Sequence, residues 1–290
     1  MNVLILPMLI NEFKVHFNKS LIDIYPQNEV NSFFRILTDH FFQWPPTFSV
    51  LNPDHRLTAK ESNQLSAALL DLIKHKPVQY ITQEAFFYNR NFYVDENVLI
   101  PRPETEELIS WVLEDSKDNG AQRRVLDIGT GSGCIPITLA KEENNFTIDA
   151  LDISTGALEV AKKNAQRHKV EINFFKVDIR ESISWPYPLD IMIANPPYVE
   201  PDEKNKMLPN VLEYEPHLAL FTPHNHPLFY YDKIIELSRT FLKSGGCLYL
   251  EINPVHATAL ATLIKANHFD YIEIRNDIFG KKRMLKALKS

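Results

Sequence analysis

The chain has 290 residues, 44% of them hydrophobic, which is enough for one sizeable core and a smaller second domain. Its formal net charge of −6 at pH 7 is not that of a protein that binds nucleic acid without sequence preference, since such proteins set positive charge against phosphate. The two cysteines, Cys134 and Cys247, lack a CxxC spacing, which argues against a zinc site or a disulfide framework and is typical of a reducing compartment.

The N-terminal run VLILPMLI, residues 3–10, is apolar. No Lys or Arg precedes it, Pro7 interrupts it and no small-residue cleavage site follows, so the pattern favours the start of a buried helix over a signal peptide. No stretch approaches the roughly 20 apolar residues that a membrane-spanning helix needs. We therefore expect a cytoplasmic protein that does not enter a membrane.

Three segments before residue 75 repeat apolar residues at intervals of three and four, which is the pattern of amphipathic helices. They are INEFKVHFNKSLI, VNSFFRILTDHFF and TAKESNQLSAALLDLIKH, and breaks containing Pro or Asn separate them. Thr58 and Glu61 have the spacing of a capping box at the start of the third segment. We predict a small helical domain over residues 1–75.

The texture changes in VQYITQEAFFYNRNFYVDENVLI, which is dense in aromatic and β-branched residues and has the Asn-rich YNRN at its middle. This composition predicts a β-hairpin, which we assign to residues 76–100 as a linker between two domains.

Residues 101–290 begin with PRPETEELISWVLED, a predicted helix with prolines at its entry, and then alternate strands with helices. The alternating segments are RRVLDIG, CIPITLAKEE, TIDALDI, ALEVAKKNAQRH, INFFKVD, LDIMIAN, PLFYYDKIIELSRTFL, GCLYLEIN, HATALATLIKAN and YIEIRND. This alternation predicts an α/β fold in which helices cover both faces of a doubly wound sheet.

A glycine-rich turn, VLDIGTGSGCI, joins the first of these strands to a helix. Gly129, Gly131 and Gly133 permit positive φ and a close approach of backbone to a ligand. The dinucleotide fingerprint GxGxxG would need its third glycine at position 134, where the chain has Cys134. Asp127 would repel a pyrophosphate, whereas S-adenosylmethionine carries an ammonium and a sulfonium and no phosphate. The charge pattern therefore favours S-adenosylmethionine as the ligand of this turn.

Two further acidic residues end the next two predicted strands. Asp152 follows Gly129 by 23 positions, where its carboxylate can accept both ribose hydroxyls of an adenosyl group. Asp178 and Ile179 are positioned to meet the amino edge and the ring face of the adenine. The alternative is that each Asp only caps a following helix.

The fourth predicted strand leads into Asn195-Pro196-Pro197-Tyr198. The Asn195 side-chain oxygen and the Pro196 carbonyl can each accept one hydrogen of a planar NH₂ group and stabilise positive charge as its nitrogen attacks a methyl donor. The prolines fix φ and donate no competing N–H, and Tyr198 can stack on the planar group. No strong general base is required. The alternative is a proline-rich loop at the end of an edge strand.

With these motifs in place, the chain resembles the peptide chain release factor glutamine methyltransferases, also called the HemK or PrmC family, over essentially its whole length. The glycine turn and Asn-Pro-Pro-Tyr are shared with adenine-N6 and other amino methyltransferases. More specific are PVQYI at 77–81, NVLIPRPETEELI at 97–109, YEPHLAL at 214–220 and NDIFGKKR at 276–283. The chain departs from the family at Gln83, where a glycine is usual, at Ile179, where a tryptophan is common, and in PHNHPL, which replaces a glycine-rich loop within 222–228.

The resemblance implies a seven-stranded, Rossmann-like class I methyltransferase domain, with an N-terminal helical domain and a hairpin that help to hold the substrate. The implied reaction moves a methyl group from S-adenosylmethionine to the side-chain amide (N5) of the glutamine in the Gly-Gly-Gln motif of class 1 release factors, which promotes translation termination. The implied donor-binding residues are Gly129, Thr130, Gly131, Ser132, Gly133, Asp152 and Asn195, beside Asp127, Asp178 and Ile179. The implied glutamine-binding residues are Asn195, Pro196, Pro197 and Tyr198, of which Asn195, Pro196 and Tyr198 would be catalytic.

Two other functions fit parts of this pattern. A nucleic-acid adenine-N6 methyltransferase would act on a flipped adenine, which offers the same planar NH₂. Such an enzyme would need a basic stripe or an added recognition domain to bind nucleic acid. A non-catalytic adaptor would bind a translation partner through its helical domain and keep a vestigial donor fold, which the intact Asn195 and Asp152 argue against. We expect a monomer that has no direct sequence-specific contact with nucleic acid.

Several residues have both a functional and a structural interpretation. Arg102 and Glu104, in IPRPETEE, either line the mouth of the site and bind substrate or belong to ordinary helix-start chemistry. His224 and His226 have no third ligand spaced with them, so we expect no metal. Glu251 and Asn253 end a later strand at the edge of the site, although capping explains them equally. The basic C-terminal GKKRMLKALKS is interpreted as a solvated tail with some chance of touching RNA.

Overall fold

The computed structural model describes residues 8–117 and 120–290. The helices are α1 (Ile10–Leu21), α2 (Gln27–Phe42), α3 (Phe48–Leu51), α4 (Ala59–Ile73), α5 (Val78–Thr82), α6 (Pro103–Ser116), α7 (Cys134–Glu142), α8 (Thr155–His168), α9 (Pro209–Leu212), α10 (His217–Leu220), α11 (Phe229–Phe241) and α12 (Ala257–Ala266). The strands are β1 (Glu84–Phe87), β2 (Arg90–Tyr93), β3 (Arg123–Ile128), β4 (Phe146–Asp152), β5 (Asn173–Lys176), β6 (Leu189–Ala194), β7 (Leu242–Glu251), β8 (Phe269–Asn276) and β9 (Lys282–Lys289).

Contacts within the chain divide it into two compact units. The first runs to Gln83 and includes Pro209–Tyr214, and the second contains Glu84–Leu208 and Glu215–Ser290. The predicted helix start in residues 3–10 falls mostly outside the described residues, and in the described part α1 begins at Ile10.

The first unit is helical, as the apolar spacing predicts. Its core is formed by the buried faces of α1, α2 and α4, where Phe17 and Phe34 meet edge to face with ring centroids 5.4 Å apart. The predicted capping box is present, because the Thr58 hydroxyl accepts from the Glu61 N–H at 3.3 Å and the Thr58 N–H donates to the Glu61 carboxylate at 2.7 Å. The hydroxyl of Tyr214 donates to the Lys74 carbonyl at 2.6 Å, which ties the second segment of this unit to the end of α4.

The predicted hairpin is shorter than residues 76–100. VQYIT forms α5, which ends at Gln83 in the left-handed conformation with φ 55°. The hairpin consists of β1 and β2, joined by Tyr88 and Asn89, which both have positive φ (45° and 59°) as a two-residue hairpin turn requires. The aromatic and β-branched residues of VQYIT led to the prediction of a strand. The segment is a helix because the burial of its side chains outweighs a weak strand propensity.

The left-handed conformation of Gln83 leads to a prediction about stability. A residue with a Cβ is strained at this helix end, whereas glycine is not. We expect Gln83→Gly to raise the free energy of unfolding by about 0.5–1 kcal/mol, measured by urea denaturation. The matched control is Gln79→Gly inside α5, which should lower it by about 1 kcal/mol. Equal destabilisation by both substitutions would contradict the proposed strain at residue 83.

The second unit is built on a seven-stranded sheet with the order β5-β4-β3-β6-β7-β9-β8. The strands β3 to β7 run parallel, and β9 is antiparallel to both of its neighbours. One face packs against α6 and α7 through Leu108, Trp111 and Ile137, and the other packs against α11 and α12 through Ile234 and Leu260. The predicted doubly wound α/β fold is confirmed.

The interpretation of the C-terminus as a solvated tail is wrong. Residues 282–289 form β9, which pairs with β7 on one side and β8 on the other. Met284, Leu285 and Ala287 are buried between the lysines. Lys286 reaches Asp115 at 2.7 Å, so its charged end stays at the surface while its stem covers the sheet. The lysines made this segment resemble a solvated tail, although it is a strand that is hydrogen-bonded to a neighbouring strand on each edge.

Candidate active site

A cavity of about 160 Å³ lies at the carboxyl ends of the parallel strands of the second unit. Four neighbouring strands supply its wall: the turn after β3, the end of β4, the segment after β5 and the segment after β6. The chain leaves β3 in one direction toward β4 and returns on its other side at β6, so the cavity sits where the strand order reverses. Ligands of doubly wound sheets bind at this point. The residues of the predicted site that line the cavity are Arg102, Gly129, Thr130, Gly131, Ser132, Asp152, Asp178, Ile179, Asn195, Pro196 and Pro197.

The glycine turn is held against the end of β4. The N–H groups of Gly129 and Thr130 both donate to the Leu151 carbonyl, at 2.9 and 3.0 Å. Gly129 and Gly131 have φ of 75° and 53°, and a Cβ added to either would meet no atom within 4 Å. Because both line the cavity, the turn presents bare backbone to a ligand.

Gly133 is needed for a different reason, since it packs against protein. Its φ is 78°, and an added Cβ would lie 3.0 Å from Ile137 and 3.2 Å from Ala161. We expect Gly133→Ala to lower the free energy of unfolding by about 2–4 kcal/mol, from left-handed strain and overpacking together. Urea denaturation measures this. Gly280→Ala is the matched control, because its φ of 79° is nearly the same while an added Cβ would meet no atom within 4 Å. It should lose only about 1–2 kcal/mol. Equal losses would remove the packing argument.

Asp152 belongs to the cavity wall and does not act as the helix cap. One of its oxygens accepts from the Gly131 N–H at 2.9 Å and the other from the Ser154 N–H at 2.9 Å. The N-cap of α8 is Ser154, whose hydroxyl accepts from the Ala157 N–H at 3.1 Å. Burial raises the pKa of Asp152, and these N–H donors lower it in part. The carboxylate is therefore fixed to the glycine turn, and its role toward a ligand stays a prediction.

Asp178 and Ile179 both line the cavity. No helix begins between β5 and β6, a segment that the structure describes throughout, so capping does not explain Asp178. The Asp178 carboxylate forms an ion pair with Arg180 at 2.6 Å, which lowers its pKa. It is therefore an ionised acceptor at the cavity rim.

Asp127 lies inside the protein and does not line the cavity. Its side chain is fully buried, and neither carboxylate oxygen has a hydrogen-bond partner among the described residues. Burial raises the pKa of Asp127 to about 7, the nearby Thr130 hydroxyl lowers it in part, and the Asp152 carboxylate raises it a little further. A buried carboxylate that no cation or well-formed hydrogen bond stabilises is costly, and a nearby cation would relieve that cost. The predicted attraction for a cationic ligand thus has a physical basis, although contact with one stays a prediction.

The Asn-Pro-Pro-Tyr motif follows β6 directly, and three of its residues line the cavity. The Asn195 amide nitrogen donates to the Thr105 hydroxyl at 3.2 Å. The amide oxygen, at the other end of the group, takes no part in this hydrogen bond. Tyr198 is the exception. It is not among the cavity-lining residues, and its hydroxyl donates to the Glu251 carboxylate at 3.0 Å. Burial raises the pKa of Tyr198 far above its usual range, so the group remains a neutral donor. Stacking of Tyr198 on a substrate stays a prediction.

Arg102 and Glu104 occupy different positions. Arg102 lines the cavity and pairs with Glu215 at 2.6 Å, whereas Glu104 is in the first turn of α6 and does not line the cavity. Glu215, whose side chain is 1% exposed, also accepts from the Ile100 N–H at 3.3 Å. Pro103 is the first residue of α6, so the helix-start interpretation of IPRPETEE is correct for this segment. Arg102 also lines the cavity, so the two interpretations do not exclude each other.

Sequence reasoning missed Thr105 and left Glu251 undecided. Both are buried, and the Thr105 hydroxyl donates to the Glu251 carboxylate at 2.6 Å. Asn253 does cap, since its oxygen accepts from the Val255 N–H at 3.1 Å, while Glu251 caps nothing among the described residues. An acidic residue inside the apolar run LYLEIN was the available signal, because a buried carboxylate requires donors.

Metal ligands and membrane-spanning helices are two further features to consider in the described residues. No three His, Cys, Asp or Glu side chains come together in them as metal ligands would, and His226 lies 3.7 Å from Asp232. None of the helices in residues 8–117 and 120–290 combines the length and apolar character needed to cross a membrane.

The chain is similar to known protein families and to individual known proteins. The chain matches the model of the methyltransferase small domain over residues 105–214 and that of the PrmC N-terminal domain over residues 16–82. It is 41% identical to the release factor glutamine methyltransferase of Flavobacterium psychrophilum, over 97% of this chain and 99% of that one. It is 39% identical to the protein of the same name from Bacteroides thetaiotaomicron, over 96% and 99% of the two chains.

Solved structures share the fold at low identity. The T. thermophilus 16S rRNA N2 G1207 methyltransferase, in complex with AdoMet and guanosine, gives a TM-score of 0.52 at 16% identity and covers 71% of this chain and 50% of its own. The human methyltransferase 10 domain containing protein gives a TM-score of 0.51 at 20% identity over 68% of this chain and 88% of its own. Both likenesses concern the architecture of the sheet and its helices.

Proposed function

Because the chain belongs to the family of release factor glutamine methyltransferases, we propose that it transfers a methyl group from S-adenosylmethionine to the side-chain amide nitrogen of a release-factor glutamine. The acceptor is the glutamine of the Gly-Gly-Gln motif in class 1 release factors. The observation that carries this proposal is the orientation of Asn195, whose amide nitrogen is occupied by Thr105 at 3.2 Å at the cavity wall. Its oxygen is thereby left as an acceptor for an N–H of the substrate.

The cavity suits a cationic donor better than a nucleotide phosphate. Its glycine turn is open to a ligand, and Asp152 places a carboxylate in its wall that has no ion pair among those found in the described residues. Asp178 adds a carboxylate that is paired with Arg180, and the buried carboxylate of Asp127 lies behind the turn. S-adenosylmethionine, when bound, supplies an activated methyl group. Asp152 would accept the ribose hydroxyls, and Asp178 with Ile179 would hold the adenine.

The acceptor amide is held by two oxygens. The Asn195 oxygen and the Pro196 carbonyl each accept one N–H of the glutamine side chain, which fixes the nitrogen and stabilises the positive charge that develops on it. The two prolines keep φ fixed and have no N–H to compete for these oxygens. A proton leaves the methylated nitrogen easily, so the chain needs no strong base beside it.

The helical unit and the hairpin are the proposed binding elements for the release factor. The hairpin belongs to the second unit, where the Asn164 side chain of α8 accepts from the Tyr93 N–H at 2.7 Å and donates to the Tyr93 carbonyl at 2.9 Å. The same amide donates to the Ser132 carbonyl at 2.9 Å, so the hairpin is tied to the glycine turn. The proposal includes action as a monomer, in the cytoplasm, on protein rather than on nucleic acid.

The experiment is methyl transfer from radiolabelled S-adenosylmethionine to purified class 1 release factor, with mass spectrometry of the Gly-Gly-Gln peptide. We expect a gain of one methyl group on the glutamine side chain and none when that glutamine is replaced by alanine. DNA and RNA should accept no label. Label on adenine would support the nucleic-acid alternative, and tight binding of release factor without transfer would support an adaptor.

A further inference from the structure

We infer that Glu251, acting through the hydroxyl of Thr105, fixes which end of the Asn195 amide faces the substrate. The inference rests on the proposed function, because it assigns positioning residues to the same site. Three side chains from separate elements form a continuous chain of hydrogen bonds: Glu251 at the end of β7, Thr105 in α6 and Asn195 after β6. The distances are 2.6 Å from Thr105 to Glu251 and 3.2 Å from Asn195 to Thr105.

The chain has a direction that follows from the groups themselves. An ionised carboxylate only accepts hydrogen bonds, and a hydroxyl has a single hydrogen to donate. The Thr105 hydrogen is therefore used on Glu251, and only its lone pairs remain for Asn195. A lone pair attracts the NH₂ end of the Asn195 amide and repels the oxygen end. The oxygen is then the end that is free toward the cavity.

Glu251 is itself fixed and has no other evident task. Its second oxygen accepts from the Tyr198 hydroxyl at 3.0 Å, and its backbone carbonyl accepts from the Tyr231 hydroxyl at 3.2 Å. Burial raises the pKa of Glu251, while the Thr105 and Tyr198 hydroxyls and the charge of Arg283 lower it. The buried carboxylate is thus stabilised by two hydroxyl donors, one of which leads to Asn195.

A glutamine at position 251 would reverse this direction. The amide keeps the shape of the carboxylate but brings one NH₂ group, which must face either Thr105 or Tyr198. If the NH₂ group faced Tyr198, it would compete with the Arg283 guanidinium to donate to the Tyr198 oxygen, which lies 3.5 Å from that guanidinium. A guanidinium has no acceptor, so the Tyr198 hydrogen could not turn to it instead. If the NH₂ group faced Thr105, it would turn the hydroxyl hydrogen toward Asn195, which would then present its NH₂ end to the substrate. Glu251→Gln is therefore expected to turn Asn195 the wrong way.

The test is a set of variants assayed on release factor and S-adenosylmethionine. Thr105→Val keeps the shape and removes the hydroxyl, so that Asn195 is free to turn, and kcat should fall about 5-fold. Glu251→Gln should lower kcat about 10-fold or more, because it favours the wrong orientation actively. Thr105→Ser restores the hydroxyl and should stay within about 2-fold of wild type. The dissociation constant of S-adenosylmethionine should change little in all three.

The double variant Glu251→Gln with Thr105→Val separates positioning from general structural damage. Without the Thr105 hydroxyl, the glutamine cannot pass its reversed direction to Asn195, so the double variant should recover to the rate of Thr105→Val alone. If Glu251 were only structural, the two losses would multiply. Multiplied losses, or a Thr105→Val enzyme with the wild-type kcat, would overturn the inference while leaving the proposed function intact.

A readout without substrate keeps the two proposals distinguishable. The side-chain NH₂ signals of Asn195 in a ¹⁵N correlation spectrum can be assigned by their loss in Asn195→Asp. We expect these signals to shift in Glu251→Gln and Thr105→Val and to stay near their wild-type positions in Thr105→Ser. Unmoved signals in Glu251→Gln would overturn the inference. If the variants show these shifts but the wild-type protein methylates no release factor, the proposed function is overturned and the inference about Asn195 stands.

Discussion

Replacing Asn195 by alanine is expected to lower kcat for methyl transfer about 150-fold, which corresponds to about 3 kcal/mol of transition-state stabilisation. The oxygen that this substitution removes is the one left toward the cavity when the amide nitrogen binds Thr105 at 3.2 Å. An acceptor that holds a substrate N–H gains strength as the nitrogen becomes positive, so its loss falls on kcat more than on binding. Single-turnover transfer to release factor measures this rate.

The dissociation constant of S-adenosylmethionine should rise by less than about 3-fold in Asn195→Ala, because Asp152 and the glycine turn keep their positions. Asn267→Ala is the matched control. It removes an asparagine outside the cavity, whose side chain bonds Arg239 at 3.1 Å and the Leu263 carbonyl at 2.9 Å. Its kcat should equal that of the wild type. An Asn195→Ala enzyme with near-normal turnover would refute the proposed catalytic role of the asparagine.

Local patterns predicted the elements whose stability is local. The apolar spacing of α1, α2 and α4 identified these helices, and Thr58 with Glu61 identified the start of α4, because a capping box involves only neighbouring residues. The alternation of strands and helices predicted the doubly wound sheet. The glycine turn was predicted because positive φ and an open backbone are properties of the turn itself.

Long-range pairing determined what the sequence alone did not indicate. The lysines of 282–289 suggested a solvated tail, yet the segment is held as β9 by β7 and β8, whose positions no local pattern reveals. The contact between Thr105 and Glu251 joins residues 146 positions apart. A single sequence shows that LYLEIN carries an acidic residue, but only the fold shows which hydroxyl stabilises it. The relation between Asn195 and its two positioning residues therefore became visible only in three dimensions.

The ion pair formed by Arg102 and Glu215 leads to a second prediction, which concerns stability. The distance between them is 2.6 Å, and the side chain of Glu215 is 1% exposed while that of Arg102 is 33% exposed. Burial raises the pKa of Glu215, and the Arg102 guanidinium lowers it. Removal of Arg102 leaves a buried carboxylate without its cation. We expect Arg102→Met to lower the free energy of unfolding by about 3 kcal/mol at pH 8, near the lower end for buried pairs because Arg102 is partly exposed.

Two further measurements separate the structural role of Arg102 from substrate binding. The double variant Arg102→Met with Glu215→Met should regain most of the lost stability, since two apolar side chains replace the pair. The loss in Arg102→Met should also shrink toward pH 5. Without its cation, Glu215 has a folded-state pKa above the unfolded value, so its folded form binds the proton more readily and stability is lost as pH rises.

A double variant that recovers stability but keeps a raised KM for release factor would identify Arg102 as a substrate-binding residue. Recovery of both would assign it a structural role, and a stability loss independent of pH and of Glu215 would contradict the ion-pair explanation.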